Sequence, residues 1–207
     1  MYLLFDFDGT LVDSFHCVMG KAILLAEELK FRKINQDEIE HLRNLSALEI
    51  IRYLDIPIYK IPQIIYQMRK HLHHEMERLQ PITHMPQVVE KLCHAGFSLG
   101  ILTSNSKENV VDWLESHHLQ HYFHFIRTES RFLSKKYLLK KTLKIYKINP
   151  SQTFYIGDET RDVDAAKKNK VKSIAVTWGY NSEKTLLKCQ PTHIIRNPEE
   201  ILTICGL

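Results

Sequence analysis

Two aspartates separated by a single residue follow the first apolar run of the chain. The run Tyr2-Leu3-Leu4-Phe5 is typical of a buried strand, Asp6 and Asp8 come directly after it, and the chain can turn at Gly9. Two carboxylates at a strand end can hold a hard divalent cation and can also aim one oxygen at an electrophile. The segment therefore predicts metal-assisted nucleophilic chemistry.

A second polar segment follows the apolar run Ser98 to Leu102. It contains Thr103, Ser104, Asn105 and Ser106 and precedes a helical pattern. A hydroxyl at a strand end and the amides of a helix N-terminus can bind phosphate oxygens. The alternative is that these hydroxyls only cap the helix.

A third segment, again acidic, follows the apolar run Thr153 to Ile156. There Asp158 comes after a glycine, Glu159 follows, and Asp162 opens a helical pattern. Taken alone, Asp162 is explained as a helix N-terminal acid stabilised by the dipole. A basic segment, Ser134-Lys135-Lys136, lies between the second and third segments and precedes a lysine-rich helical pattern that is typical of a solvated surface.

The elements that must position these residues alternate between strand and helix. Such alternation predicts an α/β fold with a parallel sheet covered by helices. Residues 14 to 81 interrupt it, because they show only helical patterns, with two capping-box sequences and a proline-opened helix. The predicted strands are Tyr2–Phe5, Ser98–Leu102, Phe123–Ile126, Thr153–Ile156, Ser173–Val176 and His193–Ile195.

The four segments that carry chemistry, in their order along the chain, resemble the motifs of the haloacid dehalogenase-like (HAD) hydrolase superfamily. The resemblance covers nearly the whole chain and implies a Rossmann-like parallel-sheet core with an inserted all-helical cap. It places the catalytic core at residues 1–13 and 82–207 and the cap at residues 14–81.

The resemblance also implies roles for the acids. Asp6 is the expected nucleophile and Asp8 the expected acid and base. The expected Mg²⁺ ligands are Asp6, Asp8 through its backbone carbonyl, Asp158, and Asp162 directly or through water. Glu159 is expected to assist from outside the ligand shell.

The remaining expected site residues bind phosphate or substrate. Ser104, with Asn105 beside it, best matches the phosphate-binding hydroxyl, and Thr103 is the alternative. Lys135 is favoured over Lys136 as the lysine that neutralises developing charge. Three further positions complete the expected set, namely the backbone amides of Gly9 and Thr10 and the cap residue Arg43.

The resemblance predicts an enzyme, a Mg²⁺-dependent phosphatase acting on small phosphorylated metabolites through an aspartyl-phosphate. Asp8 is typical of phosphatases and mutases rather than of the ATPase branch. Val176-Thr177-Trp178-Gly179-Tyr180-Asn181 resembles the phosphoglycolate phosphatase-like branch, which favours phosphoglycolate-like compounds or sugar phosphates. A phosphosugar mutase of the β-phosphoglucomutase type is the alternative, and a non-catalytic binding protein on the same fold is a weaker one.

Composition narrows the expected partners. The 207 residues carry a net charge of +4 and 44% hydrophobic residues, which is ordinary for a globular protein. We expect no membrane partner, since no apolar run reaches roughly 20 residues, and no nucleic-acid partner, since the basic helix lacks interleaved aromatics. The first residues do not match a secretory signal, so we expect a cytoplasmic protein, either a monomer or a homodimer.

Overall fold

A parallel sheet forms the centre of the protein in the computed structural model, which describes residues 1–128 and 135–207. Residues 129–134, including Ser134 of the basic segment, lie outside the described residues. The described strands form one sheet in the order β3-β2-β1-β4-β5-β6, and every pairing is parallel. The strands are β1 (Tyr2–Phe5), β2 (Ser98–Thr103), β3 (Phe123–Thr128), β4 (Thr153–Gly157), β5 (Lys172–Val176) and β6 (His193–Ile195).

The predicted α/β fold is therefore confirmed, and the strands match the predicted runs to within two residues at each end. The described helices are α1 (Phe15–Glu28), α2 (Ile39–Arg43), α3 (Ala47–Tyr53), α4 (Ile61–Glu75), α5 (Met85–His94), α6 (Lys107–Ser116), α7 (Lys135–Ile145), α8 (Thr160–Lys168), α9 (Glu183–Lys188) and α10 (Glu200–Cys205). Short 3-10 turns occupy Gln36–Glu38, Ile58–Lys60, Met76–Arg78, Gln120–Tyr122 and Pro150–Gln152.

The central strand β1 is apolar throughout because both of its faces are buried. Leu3 and Phe5 point into the larger core, which includes Trp113 of α6. Leu4 points to the opposite face, into a second core that includes Leu139 of α7. This alternation follows from the two-residue period of a strand, and it gives the sheet a helical layer on each side.

Four helices, α1 to α4, lie between β1 and α5. Their ends follow local sequence signals, since the predicted capping boxes form at Asn35 with Glu38 and at Ser46 with Glu49. A small cluster centred on Ile34, Leu42 and Leu54 packs inside this segment. The segment is also anchored to the sheet, because Leu72 and Met76, at the end of α4, join the larger core.

The chain enters and leaves this helical segment at adjacent points. The amide of Asp13 donates to the carbonyl of Gln80, and the amide of Ile82 donates to the carbonyl of Leu11, both at 2.9 Å. Val12 and Pro81 form an isolated antiparallel bridge between these bonds. The two connecting segments, residues 11–13 and 80–82, are therefore hydrogen-bonded to each other beside the carboxyl end of β1.

Some helix ends differ from the sequence prediction. The pattern at Asn197-Pro198 predicts a helix start there, but α10 begins at Glu200 after a turn in which the Glu200 amide donates to the Asn197 carbonyl. The helix predicted from Ile61 to about Leu79 ends at Glu75 and continues as a 3-10 turn. Within residues 1–128 and 135–207, no helix combines the length and the apolar character needed to cross a membrane.

Candidate active site

The turn after β1 brings the first two aspartates to the carboxyl edge of the sheet. The amides of Thr10, Leu11 and Val12 all donate to the carbonyl of Phe7, which closes the turn tightly. Gly9 adopts a φ of +71°, and a β-carbon there would lie 2.5 Å from an oxygen of Asp158. The glycine is thus required both by its backbone conformation and by the close approach of Asp158.

Lys135 lies among three carboxylates at this edge. Its Nζ donates to Oδ2 of Asp6, to Oδ1 of Asp162 at 2.5 Å and to Oε2 of Glu159 at 3.4 Å. Lys135 and Asp6 are both nearly inaccessible to solvent. The alternative, Lys136, is exposed one residue further along α7. Of the two lysines, the structure therefore brings Lys135 to the acids.

The charges of this cluster depend on one another. Burial raises the pKa of Asp6 to about 7, and the positive charge of Lys135 opposes that shift. Burial alone would lower the pKa of Lys135, but the charges of Asp162 and Asp6 outweigh it and raise the pKa above its ordinary value. Lys135 is consequently held as a cation beside Asp6.

Asp8 is bound by a neighbouring strand end. The side-chain amide of Asn105 donates to both carboxylate oxygens of Asp8, at 3.0 and 3.2 Å. Burial raises the pKa of Asp8 to about 6, and the hydrogen bond from Asn105 opposes the shift. A carboxyl group with such a pKa can both give and take a proton near neutral pH, which suits an acid–base role.

Asp158 is fully buried, and its carboxylate is held by two other segments of the chain. Its Oδ1 accepts from the Thr10 hydroxyl at 2.7 Å, and its Oδ2 accepts from the Tyr180 amide at 2.7 Å. Burial raises the pKa of Asp158 well above its ordinary value, and the charges of Glu159 and Asp6 add to the rise. Ionised Asp158 is therefore disfavoured unless positive charge lies close to it.

The two hydroxyls weighed as phosphate ligands lie in different surroundings. Thr103 is buried, and its hydroxyl accepts from the backbone amide of Asn105 at 2.9 Å, as in a local turn. Ser104 is partly exposed and lines the cavity above the acids, where its hydroxyl accepts from Arg161 at 3.4 Å. The carbonyl of Ser104 also accepts from Arg69 of α4. Ser104 is therefore the better placed of the two to meet a ligand.

The backbone amides of Gly9 and Thr10 are engaged within the turn itself. The Gly9 amide donates to the Val12 carbonyl at 2.9 Å, and the Thr10 amide donates to the Phe7 carbonyl at 3.2 Å. Their expected contact with a phosphoryl group would have to replace these bonds. The Thr10 side chain instead contributes by fixing Asp158.

Arg43 reaches the site from the helical segment. Its guanidinium donates to the Gly179 carbonyl at 3.1 Å and pairs with Glu40 at 3.3 Å. Its Nε is buried without a hydrogen-bond partner among the described residues. Arg43 lines the same cavity as Ser104, so the structure brings it to the site as the sequence predicts.

Residues 178–182 contribute more than the sequence indicated. The Asn181 side chain donates to the carbonyls of Arg43 and Leu45, at 3.2 and 2.9 Å, and accepts from the Thr160 amide at 2.9 Å. Together with the Tyr180 amide on Asp158, these bonds join the helical segment to the acidic cluster. The V-T-W-G-Y-N pattern was the available signal, but it gave no contact partners.

Arg161 is the other site residue that sequence reasoning did not assign. It pairs with Glu159 at 2.5 Å and contacts the Ser104 hydroxyl, and all of these groups line one cavity of about 290 Å³. Its place inside the segment from Asp158 to Asp162 was visible in the sequence, but an arginine at a helix start is commonly solvated.

The donor set fits a hard cation. Carboxylate oxygens of Asp6, Glu159 and Asp162 all lie within 4.8 Å of one another. Mg²⁺ prefers oxygen ligands, but these three residues also accept hydrogen bonds from Lys135, so a cation bound among them would share their oxygens with the lysine ammonium. This group differs from the expected ligand set, since Glu159 is in it, whereas Asp158 binds Thr10 and Tyr180.

Comparisons with known proteins agree on one family. A family model described as haloacid dehalogenase-like hydrolase matches residues 3–176. A phosphoglycolate phosphatase of Synechococcus elongatus is 30% identical over 200 residues, covering 97% of this chain and 94% of that protein. A pyrophosphatase PpaX of Bacillus mycoides is 21% identical, covering 98% and 95%. The solved structure of a predicted phosphatase from Clostridium acetobutylicum has a TM-score of 0.85 at 23% identity, covering 100% and 98%.

Proposed function

Because the chain belongs to the haloacid dehalogenase-like hydrolase family, we propose that it is a Mg²⁺-dependent phosphatase of small phosphorylated metabolites. The observation that carries the proposal is the position of Lys135, which bridges Asp6 and Asp162, while Asp6 and Asp8 line the cavity. The arrangement supplies a nucleophile, an acid and base, and fixed positive charge in one buried place.

The proposed reaction has two steps on one phosphorus atom. An oxygen of Asp6 attacks phosphorus, the ester bond to the leaving oxygen breaks, and protonated Asp8 gives its proton to that oxygen. Asp8, now ionised, takes a proton from a water molecule that attacks phosphorus and breaks the bond to Asp6. Inorganic phosphate leaves, and Asp6 and Asp8 return to their starting states.

The remaining residues bind and orient. The Ser104 hydroxyl, which lines the cavity, and the Lys135 ammonium beside Asp6 would hold phosphoryl oxygens, and Asn105 fixes the carboxyl group of Asp8. A bound Mg²⁺ would be held by Asp6, the Asp8 carbonyl and Asp158, with Asp162 directly or through water, and Glu159 lies beside them. It would supply positive charge that offsets repulsion between the nucleophile and the phosphate.

We assign residues 1–13 and 82–207 to the catalytic core and residues 14–81 to a cap that encloses the substrate. The paired connections at residues 11–13 and 80–82 support this division. A closed cap excludes water and strengthens every charge interaction inside the site. We further assign the protein to the cytoplasm, as a monomer or homodimer with no nucleic-acid or membrane partner.

A phosphate-release screen tests the proposal. Purified protein is assayed with p-nitrophenyl phosphate, phosphoglycolate, sugar phosphates and pyrophosphate, with Mg²⁺ or with EDTA. We expect release that needs Mg²⁺ and that falls by at least about 10³-fold in Asp6→Asn, which retains the shape but loses the nucleophile. Turnover of Asp6→Asn near the wild-type rate would contradict the assigned nucleophile.

The same samples separate the two alternatives. Interconversion of sugar phosphate isomers without release of phosphate would identify a mutase, which can use the same four acids and lysine. The absence of turnover with every ester in the presence of Mg²⁺ would identify a binding protein. Pyrophosphate as the best substrate would instead match the activity named for the Bacillus mycoides relative.

A further inference from the structure

The cavity above the acids has two chemically different ends. At the core end it is lined by Asp6, Asp8, Ser104 and Asn105, with Arg161 beside them. The other end lies inside the helical segment, between α1, α3 and α4. A ligand that fills the cavity therefore meets charged groups at one end and the interior of the helical segment at the other.

The helical end of the cavity is apolar. Of the cavity-lining residues between positions 14 and 81, a stretch that is described throughout, only Arg43 and Arg69 have polar side chains. Both are tied to the core end, Arg43 to the Gly179 carbonyl and Arg69 to the Ser104 carbonyl. The wall beyond them is built by residues such as Met19, Ala47, Ile50, Ile64, Ile65 and Met68.

These apolar side chains close only in part, because Ile34, Leu42 and Leu54 pack together while other residues of the wall stay open to the cavity. None of the residues of α3 is fully buried, and Leu72 is the one fully buried residue within the described span of α4. Ile50, Ile64, Ile65 and Met68 all keep partial exposure while facing the cavity. Covering such an open apolar surface with an apolar ligand is favourable, because it removes apolar area from water.

The apolar wall is chemically unsuited to polar parts of a ligand. Sugar hydroxyls placed against it would lose their hydrogen bonds to water without gaining partners. A carboxylate placed against this wall would be desolvated away from the arginines, which lie at the core end of the cavity. A chain of methylene groups packed against this wall gives up no hydrogen bonds to water, and each buried group should raise the binding constant roughly fourfold.

We propose that the substrate is a phosphate monoester of an apolar alcohol, with the phosphate on the Asp6 side and the hydrocarbon inside the helical segment. This inference rests on the proposed phosphatase function and specifies its substrate class. It assigns the apolar wall of α1, α3 and α4 as the specificity determinant. The cavity of about 290 Å³ is close to the lower limit of typical ligand sites, which favours a medium-length chain.

A homologous series of esters tests the substrate class. Phosphate release is measured for ethyl, butyl, hexyl and octyl phosphate, with phosphoglycolate and glucose 6-phosphate alongside. We expect kcat/KM to rise roughly fourfold per methylene until the cavity is filled, reaching at least about 100-fold over ethyl phosphate. A flat or falling series, with phosphoglycolate or the sugar phosphate preferred, would overturn the inference.

Binding without turnover separates this inference from the proposed function. The matching n-alkylphosphonates cannot be hydrolysed, and their dissociation constants are measured by calorimetry. If no ester is hydrolysed but affinity still rises with chain length, the phosphatase function fails and the apolar site stands. If p-nitrophenyl phosphate is hydrolysed but phosphonate affinity is independent of chain length, the apolar site fails and the phosphatase function stands.

A substitution that fills the cavity locates the chain. Ala47→Phe puts a ring on the cavity wall, and Leu48→Phe is a matched change at the next residue of α3, which is 48% exposed and does not line the cavity. Because the ring takes up cavity volume, we expect the preferred alkyl chain of the substrate to be shorter by roughly two or more carbons in Ala47→Phe. The loss of kcat/KM in Ala47→Phe should grow with chain length along the series, and Leu48→Phe should reproduce the wild-type series. An unchanged optimum in Ala47→Phe would place the hydrocarbon elsewhere and contradict the inference.

Discussion

The amide group of Asn105 donates to both carboxylate oxygens of Asp8, at 3.0 and 3.2 Å, although the two residues are 97 positions apart. Oδ1 of Asn105 in turn accepts from the Asn109 side chain at 2.9 Å. That side chain also donates to the Arg69 carbonyl of α4, at 3.1 Å. Asp8 is thus connected through two asparagines to a helix that forms the wall of the cavity.

Replacing Asn105 should change the pH dependence of the reaction. Asn105→Ala removes a hydrogen bond that favours ionised Asp8, so the pKa of Asp8 should rise above its value of about 6. If Asp8 must be protonated for the first step, the alkaline limb of the kcat/KM profile should move to higher pH. A hydrogen bond to a charged group is worth roughly 1.5–3 kcal/mol, which corresponds to about one pH unit or more.

Ser106→Ala is the matched control for that profile. The Ser106 hydroxyl caps α6 by accepting from the Asn109 amide at 3.2 Å, so its loss should cost about 1 kcal/mol of stability. It does not contact Asp8, and the pH profile should stay in place. An equal shift in both variants would show that the limb reports loop stability and not the pKa of Asp8.

The two adjacent lysines should behave differently. Lys135→Met removes the ammonium group that contacts Asp6, Asp162 and Glu159, and kcat should fall by about 10²- to 10³-fold. Lys136→Met changes an exposed side chain and should leave kcat within about twofold of wild type. Steady-state phosphate release measures both, and a larger loss in Lys136→Met would assign the role to that residue.

Gly179 should tolerate no side chain. A β-carbon there would overlap the Asp158 side chain, so Gly179→Ala should lower the free energy of unfolding by roughly 1–3 kcal/mol. It should also lower kcat/KM by at least about tenfold, because Asp158 is displaced. Gly20→Ala in α1 meets no atom within 4 Å and should raise stability by roughly 0.5–1 kcal/mol. Both effects are read from urea denaturation, and a neutral Gly179→Ala would contradict the packing described.

Ionisation of buried Asp6 should lower the free energy of unfolding as pH rises, and EDTA keeps metal ions from offsetting this effect. Its pKa rises from 3.8 to about 7 on folding, chiefly because of burial, so the folded chain binds more protons between these values. Stability contributed by protonated Asp6 is therefore present at low pH and lost as pH rises toward 7. Asp6→Asn lacks this loss, and its advantage over wild type should grow by on the order of 2 kcal/mol between pH 5 and pH 8.

Urea denaturation at several pH values measures that difference. Asp164→Asn, on the outward side of α8, is a suitable control because Asp164 is exposed and lies outside the acidic cluster. Its difference from wild type should stay constant with pH. A constant difference for Asp6→Asn as well would show that Asp6 keeps an ordinary pKa in the folded protein.

The fold could be predicted because its strands are buried on both faces. Runs such as Tyr2–Phe5 and Thr153–Ile156 are continuous and apolar, and the polar residues after them mark the carboxyl edge of the sheet. Membership of the hydrolase family is likewise confirmed. The juxtaposition of Asp6, Asp158 and Asp162 follows from that edge, since parallel strands end on the same side.

The contacts between distant segments could not be predicted. The bonds from Asn105 to Asp8 and from Tyr180 to Asp158 depend on the exact register and loop path, which periodicity does not encode. The choice of Lys135 over Lys136 depends on the phase at which α7 begins. The open apolar interior of α1, α3 and α4 depends on how far the helices are spread, since the same pattern suits a closed bundle.

The position of β1 in the sheet sets the order in which the protein can assemble. Tyr2 pairs with Ser98 on one side and with Thr153 on the other, so β1 has no partner in the described sheet until residues 98–103 have been made. The helices of residues 14–81 need mainly local contacts and can form during that interval. The carboxyl end of β1, which leads into Asp6 and Asp8, is therefore paired on both sides only after β4 has been made.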